Sequence, residues 1–276
     1  MPRFIVGVTI LAIGTSLPEL VSSIFAVLSG TSEIVVGNVV GSNITNICLI
    51  IGLSAVLAKR MTTNYDLIGV DLPLFIGSAL LFSLMIWDGS FSLPEGILSI
   101  CGIVVYLVYA VTVDRNLEGA ASADSEKKLG WKPPLFLVLS SVFIFFGAKY
   151  TVESVINISQ IFNIAPAIIA VTAVAIGTSL PELVVSLTAA RKGMSELAIG
   201  NVLGSNIFNL FAVMGVSSLF GTIYVPESIL TFSLPMMLAV TLIFVFIAQD
   251  KIVTRWEGWL FLITYCYFLG RVLRFF

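Results

Sequence analysis

Apolar residues run through this chain in long unbroken stretches, and polar residues gather in the short gaps between them. Nine stretches stand near residues 4–29, 34–58, 66–86, 93–113, 134–158, 165–190, 195–219, 228–248 and 256–275. Each holds roughly 20 residues or more, enough for a helix to cross the ~30 Å hydrocarbon core of a bilayer. The runs are continuous, not alternating, which excludes the strand pattern of a membrane β-barrel. The pattern predicts an all-α, polytopic membrane protein set in a lipid bilayer. One polar gap is longer than the rest, from Asp114 to Lys132, with Asp124-Ser125-Glu126-Lys127-Lys128 at its centre and Pro133-Pro134 closing it. With little to fold around, it is expected to be a flexible connector at 114–133. It divides the chain into residues 1–113 and 134–276.

Composition agrees with that division. Of 276 residues, 58% are hydrophobic and 11% charged, against roughly 25% charged in soluble domains; mean hydropathy is +1.07. A formal net charge of −2 leaves no basic footprint for nucleic acid. The absence of histidine removes His-ligated metal, Ser-His and Cys-His catalysis and a histidine proton relay. Cys48, Cys101 and Cys266 lie in apolar runs without metal-like spacing, and are expected to be buried, inert thiols. Nothing in the sequence calls for a cofactor, a catalytic site or an obligatory protein partner.

With nine spans, alternate gaps fall on alternate sides. One side collects eleven basic residues, from Arg3, Lys59 and Arg60 through the linker to Lys251 and Arg255; the other collects Arg271 and Arg274. That imbalance places the N-terminus and the linker in the cytoplasm. Trp87, Trp131, Trp256 and Trp259 fall at span ends, as interfacial anchors do. Asp66, Asp71, Asp88, Glu95 and Glu227 also lie near span ends and are expected to be solvated. Lys149 and Glu153 are i,i+4 within a span and are expected to pair locally.

Two spans break the apolar rule with a carboxylate. Gly14-Thr15-Ser16-Leu17-Pro18-Glu19-Leu20 returns as Gly177-Thr178-Ser179-Leu180-Pro181-Glu182-Leu183. Gly37-Asn38-Val39-Val40-Gly41-Ser42-Asn43-Ile44-Thr45-Asn46 returns as Gly200-Asn201-Val202-Leu203-Gly204-Ser205-Asn206-Ile207-Phe208-Asn209. The offset is 163 for both (177 − 14 and 200 − 37). Glu19 lies in a span leaving the cytoplasm and Glu182 in one returning, so the chain is an inverted-topology repeat. At this offset residue 1 pairs with residue 164, so the span at 134–158 has no counterpart. A complete duplication has ten helices, which predicts a further apolar span upstream of Met1.

The repeated residues carry one kind of chemistry. Thr15, Ser16 and Glu19 share a helix face at i,i+4 and i,i+3, as do Thr178, Ser179 and Glu182. Pro18 has no N–H, so the Gly14 carbonyl loses its intrahelical partner, and Pro181 does the same to Gly177. Such carbonyls are tolerated within a membrane only in protein or beside a cavity, where they can ligate cations. Ser42 and Asn46, with Ser205 and Asn209, add hydroxyl and amide oxygens. An all-oxygen set with two carboxylates suits a hard cation such as Ca²⁺ or Na⁺, not zinc or copper. A lone intramembrane glutamate can be a packing residue, and small-residue motifs can merely pack helices; two glutamates in identical contexts point to a site.

These blocks resemble the α-repeats of the calcium/cation antiporter superfamily, the prokaryotic-type sodium/calcium exchangers. The resemblance implies a secondary active antiporter exchanging Ca²⁺ for Na⁺ by alternating access. It implies cation ligands at Thr15, Ser16, Glu19, Ser42, Asn46, Thr178, Ser179, Glu182, Ser205 and Asn209, with backbone ligation near Ala12 and Ala175. The chain departs from the family in lacking its first helix, and in carrying Asn46 and Asn209 where many relatives have Asp. The alternatives are H⁺/Ca²⁺ exchange through the same glutamates, a cation channel, and an intramembrane hydrolase using paired carboxylates.

Overall fold

A helix that crosses a bilayer satisfies its own backbone hydrogen bonds, and this chain folds accordingly. The computed structural model describes residues 3–63, 70–118 and 132–275. The charged centre of the linker, Trp131 and Asp66 lie outside the described residues. In chain order the helices are α1 (Phe4–Leu28), α2 (Glu33–Ala58), α3 (Asp71–Met85), α4 (Leu93–Glu118), α5 (Lys132–Phe162), α6 (Pro166–Thr178, continuing after a 45° bend as Leu180–Arg191), α7 (Ser195–Ser218), α8 (Ile229–Gln249) and α9 (Arg255–Val272). Among the described residues, five stretches are long and apolar enough to cross a membrane: α1, α2, Leu93–Thr112 of α4, α7 and α8. Bent α6 makes six if it counts as one span, and α3 is shorter.

Burial picks out the centre. The apolar windows of α2 and α7 are both 94% buried, against 50% for α1 and 28% for α4. Their glycines explain why these two helices can sit so deep. Gly37 and Gly41 of α2 lie against the backbone of Ala167 and Val171 in α6. Gly200 and Gly204 of α7 lie against Phe4 and Val8 in α1. Small residues four apart let membrane helices approach backbone to backbone. The pairing is swapped: the Gly/Ser/Asn helix of each repeat packs on the glutamate helix of the other.

Short strands close both ends of the bundle. β1 (Arg60–Thr62) pairs antiparallel with β4 (Ile252–Thr254), Met61 opposite Val253. β2 (Ser90–Phe91) pairs with β3 (Ile223–Tyr224), Phe91 opposite Ile223. The repeat offset carries β1 onto β3 and β2 onto β4 (223 − 60 and 253 − 90). β1 follows the end of α2, whereas the Tyr224 N–H of β3 donates to Ser32 Oγ at its start (3.1 Å). The 26 residues of α2 span about 39 Å at ~1.5 Å each, so the two clasps sit at opposite ends. Entry into α9 is fixed by a capping box, in which the Thr254 N–H donates to Glu257 Oε2 (2.6 Å) and the Glu257 N–H to Thr254 Oγ1 (3.4 Å).

Several expectations change. Asp71 is buried, not solvated, and its Oδ2 accepts from the Tyr109 hydroxyl at 3.3 Å. It opens α3, and a carboxylate at a helix N-terminus is favoured by the exposed N–H groups there. Glu95 caps the start of α4, accepting from the Ser92 N–H at 2.6 Å. Of the three thiols only Cys48 is buried; Cys101 and Cys266 are exposed, because apolar residues on the outside of such a bundle face lipid. Lys149 and Glu153 pair along α5 at 3.9 Å, both about half-exposed, a geometry in which an ion pair contributes little.

Candidate cation site

The two glutamate helices are interrupted at the same residue of the repeat. Ser16 (φ −89°, ψ 7°) and Ser179 (φ −81°, ψ 7°) leave helical geometry, and the chain re-enters a helix with Pro18 and Pro181 in the first turn. Proline suits that turn because its missing N–H needs no partner there. The Ser16 and Ser179 N–H groups donate back to the Ala12 and Ala175 carbonyls, each at 3.1 Å. Wider π-turns precede the interruptions at Gly7–Leu11 and Ala170–Val174, and run on from Asn46 and Asn209 over Asn46–Ile51 and Asn209–Val213. Four π-segments in repeat-related pairs thus bracket the motif residues, and such segments gather at functional sites.

Glu19 and Glu182 are wholly buried. Each is held by the other repeat: Ser16 Oγ donates to Glu182 Oε1 at 2.9 Å, and Ser179 Oγ to Glu19 Oε1 at 3.4 Å. The carboxylates are near enough to feel each other's charge. Thr15 and Ser205 also border Glu182, and Thr178 borders Glu19. Thr178 Oγ1 lies 3.2 Å from Asn38 Oδ1, and Thr15 Oγ1 lies 3.5 Å from Asn201 Oδ1. A groove of about 660 Å³ between α5, α1 and α6 reaches Pro18, Thr178 and Pro181.

What the protein leaves unsatisfied is as regular as what it satisfies. Glu19 Oε2 and Glu182 Oε2, Ser42 Oγ and Ser205 Oγ, Asn46 Oδ1 and Asn209 Oδ1 are all buried without a hydrogen-bond partner. They form three repeat-related pairs of oxygens. A single bare buried carboxylate oxygen is costly, and six such oxygens match the lower end of the ~6–8 that surround Ca²⁺. Most of the other sequence-derived candidates keep capacity. The hydroxyls of Thr15, Ser16, Thr178 and Ser179 have lone pairs beyond the bonds they make, and so has the Ala175 carbonyl, whereas the Ala12 carbonyl faces both the Ser16 N–H (3.1 Å) and the Thr15 hydroxyl (3.4 Å).

Four asparagines escaped the sequence reading: Asn38, Asn43, Asn201 and Asn206. Asn46 Nδ2 donates to Asn206 Oδ1 (2.8 Å) and Asn209 Nδ2 to Asn43 Oδ1 (3.3 Å). Asn201 Nδ2 donates to Ser186 Oγ (3.0 Å). A signal was available, since Asn43 and Asn206 lie three residues before Asn46 and Asn209 and so near the same face.

A family model described as sodium/calcium exchanger protein matches residues 1–113 and 132–274. The sodium/calcium exchanger MaX1 of Methanosarcina acetivorans is 36% identical over 308 residues, covering 97% of this chain and 88% of the relative. The inner membrane protein YrbG of Escherichia coli is 35% identical, covering 79% of this chain and 70% of the relative. Among solved structures, the sodium-calcium exchanger NCX_Mj soaked with 2.5 mM Na⁺ and 0.1 mM Ca²⁺ superposes with a TM-score of 0.74. The two are 29% identical, over 96% of this chain and 85% of that one. On the extent of the family match and of the likeness to MaX1, this chain belongs to the sodium/calcium exchanger family.

Proposed function

We propose that this chain exchanges Ca²⁺ for Na⁺ across the membrane, holding the ions between its two repeats. The observation that carries the site is that three repeat-related pairs of buried oxygens without protein partners fall on the repeated motifs, contributed equally by residues 1–113 and 134–276; a fourth pair, Ser54 Oγ and Ser217 Oγ, lies outside them. Thr15, Ser16, Thr178, Ser179 and the Ala12 and Ala175 carbonyls complete the ligand set around Glu19, Ser42, Asn46, Glu182, Ser205 and Asn209. Two ionised carboxylates carry a charge of −2, which one Ca²⁺ or two Na⁺ neutralise. Occupation by one ion therefore excludes the other.

Exchange, not leakage, follows from the same burial. Changing access with bare carboxylates would carry uncompensated charge through a low-dielectric interior, at several kcal/mol per ion. Loaded sites escape that cost, so the protein turns over only with an ion aboard. The basic residues Lys59, Arg60, Lys251 and Arg255 flank the β1–β4 clasp. That clustering supports a cytoplasmic face there, with the N-terminus and linker on the same side. The test is Ca²⁺ flux in proteoliposomes with the pH gradient collapsed. Flux should appear with an imposed Na⁺ gradient and vanish when Na⁺ is equal on both sides or replaced by choline. Flux that ignores Na⁺ would indicate a channel, and flux that follows only a pH gradient would indicate proton exchange.

A further inference from the structure

Where α2 crosses α7, four asparagine side chains meet. Asn43 Nδ2 donates to the Asn206 carbonyl at 3.4 Å, and Asn206 Nδ2 to the Asn43 carbonyl at 3.3 Å. These are reciprocal bonds between the two repeats. A backbone carbonyl can only accept, so each inner amide must turn its nitrogen toward it. The inner Oδ1 atoms then face the outer pair, and an oxygen can only accept there too. Asn46 and Asn209 must therefore present Nδ2 to Asn206 and Asn43, at 2.8 and 3.3 Å. Nothing remains undetermined: each outer Oδ1 points the other way, and both are buried without a protein partner.

We propose that Asn43 and Asn206 are positioning residues. By holding the amide nitrogens of Asn209 and Asn46, they leave each ligand asparagine only its oxygen to offer the ion. The proposal rests on the cation site argued above, and adds to it the pair of residues that orients two of its ligands. Without that hold, either ligand amide could rotate by half a turn and aim N–H donors at a cation. A partner that fixes a ligand's orientation typically changes metal affinity by ~10–100-fold when removed.

The experiment is calorimetric titration of the detergent-solubilised protein with CaCl₂. Asn206→Leu keeps the branched side-chain shape and removes the acceptor for Asn46. Its Ca²⁺ dissociation constant should rise ~10–100-fold. Combining it with Asn46→Ala should add little, because the ligand it orients is already gone. Combining it with Asn209→Ala should multiply the two losses, since Asn209 is held by Asn43. A general structural defect would multiply with both. Asn206→Asp is the second variant: its carboxylate keeps the acceptor for Asn46, replaces the donor to the Asn43 carbonyl and adds negative charge beside the site. It should bind Ca²⁺ no more weakly than the parent. Parental affinity in Asn206→Leu, independent losses with Asn46→Ala, or a tenfold loss in Asn206→Asp would each overturn the positioning role. If Asn46→Ala and Asn209→Ala themselves bind like the parent, the site reading fails and this inference falls with it. If those two lose affinity and Asn206→Leu does not, only the inference falls.

Discussion

Glutamine at position 19 or 182 abolishes Na⁺-dependent Ca²⁺ flux while the protein still inserts and folds. Each wild-type carboxylate has one oxygen held by a serine of the other repeat and one with no protein partner. Glutamine can keep the first contact, with Ser16 or Ser179 donating to its carbonyl. Its amide nitrogen then occupies the place of the bare oxygen, so a donor replaces an acceptor and half the site charge is lost. Removing one partner of a buried ion pair costs about 3–5 kcal/mol, which is on the order of 10²–10³ in site occupancy at ~1.4 kcal/mol per tenfold. The hydrogen-bond pattern is the same at both positions under the repeat, so both variants should fail, and both should melt near the parental temperature without Ca²⁺. The measurement is flux in proteoliposomes beside a detergent melting curve. Parental flux in either variant removes that glutamate from the site.

Much of this arrangement was legible in the sequence, because membrane helices and duplicated motifs write themselves in local pattern. The apolar runs located the helices, and the repeated glutamate and Gly/Ser/Asn blocks hold the residues proposed as ligands. Other features were hidden because they depend on how two distant segments meet. Helical spacing put Thr15 and Ser16 on the face of Glu19, yet Ser16 donates across the repeat to Glu182. That crossing follows from inverted packing, which sequence spacing within one helix cannot reveal. The π-segments shift side chains off the regular helical face, and no residue type announces them. The paired strands joining loop to loop are two or three residues long, too short for any alternation to register. Asp71 looked solvated from its place at a span end, and only the folded bundle, which brings Tyr109 of α4 to it, buries it. The orienting asparagines were printed in the motif, but their role appears only when Asn43 and Asn206 face each other.

Alanine at Gly204 or Gly41 should damage transport through the backbone, without touching a side-chain oxygen of the proposed site. A methyl group at Gly204 would fall on the Val8 carbonyl oxygen, 2.7 Å from the Ala12 Cβ and 2.7 Å from the Val8 Cα. At Gly41 it would fall on the Val171 carbonyl oxygen, 2.7 Å from the Ala175 Cβ. Backbone cannot rotate away as a side chain can, so the two helices must part. Overpacking of this kind costs about 1–3 kcal/mol, occasionally more. The turn that gives way carries Ala12 or Ala175, and Thr15 and Ser16 or Thr178 and Ser179 follow three and four residues on. Stability and the site are therefore disturbed together. A displacement near 1 Å at a preorganised site costs on the order of 10²-fold in rate, so flux should fall by about that factor. Gly77 on α3 supplies the control, since a Cβ there meets nothing within 4 Å. Gly77→Ala should melt at or slightly above the parental temperature, because alanine is the better helix former by roughly 0.5–1 kcal/mol, and should transport normally. Gly204→Ala and Gly41→Ala should melt lower and lose flux. If they melt and transport like Gly77→Ala, the close approach of α7 to α1 and of α2 to α6 does not hold the ion site in shape.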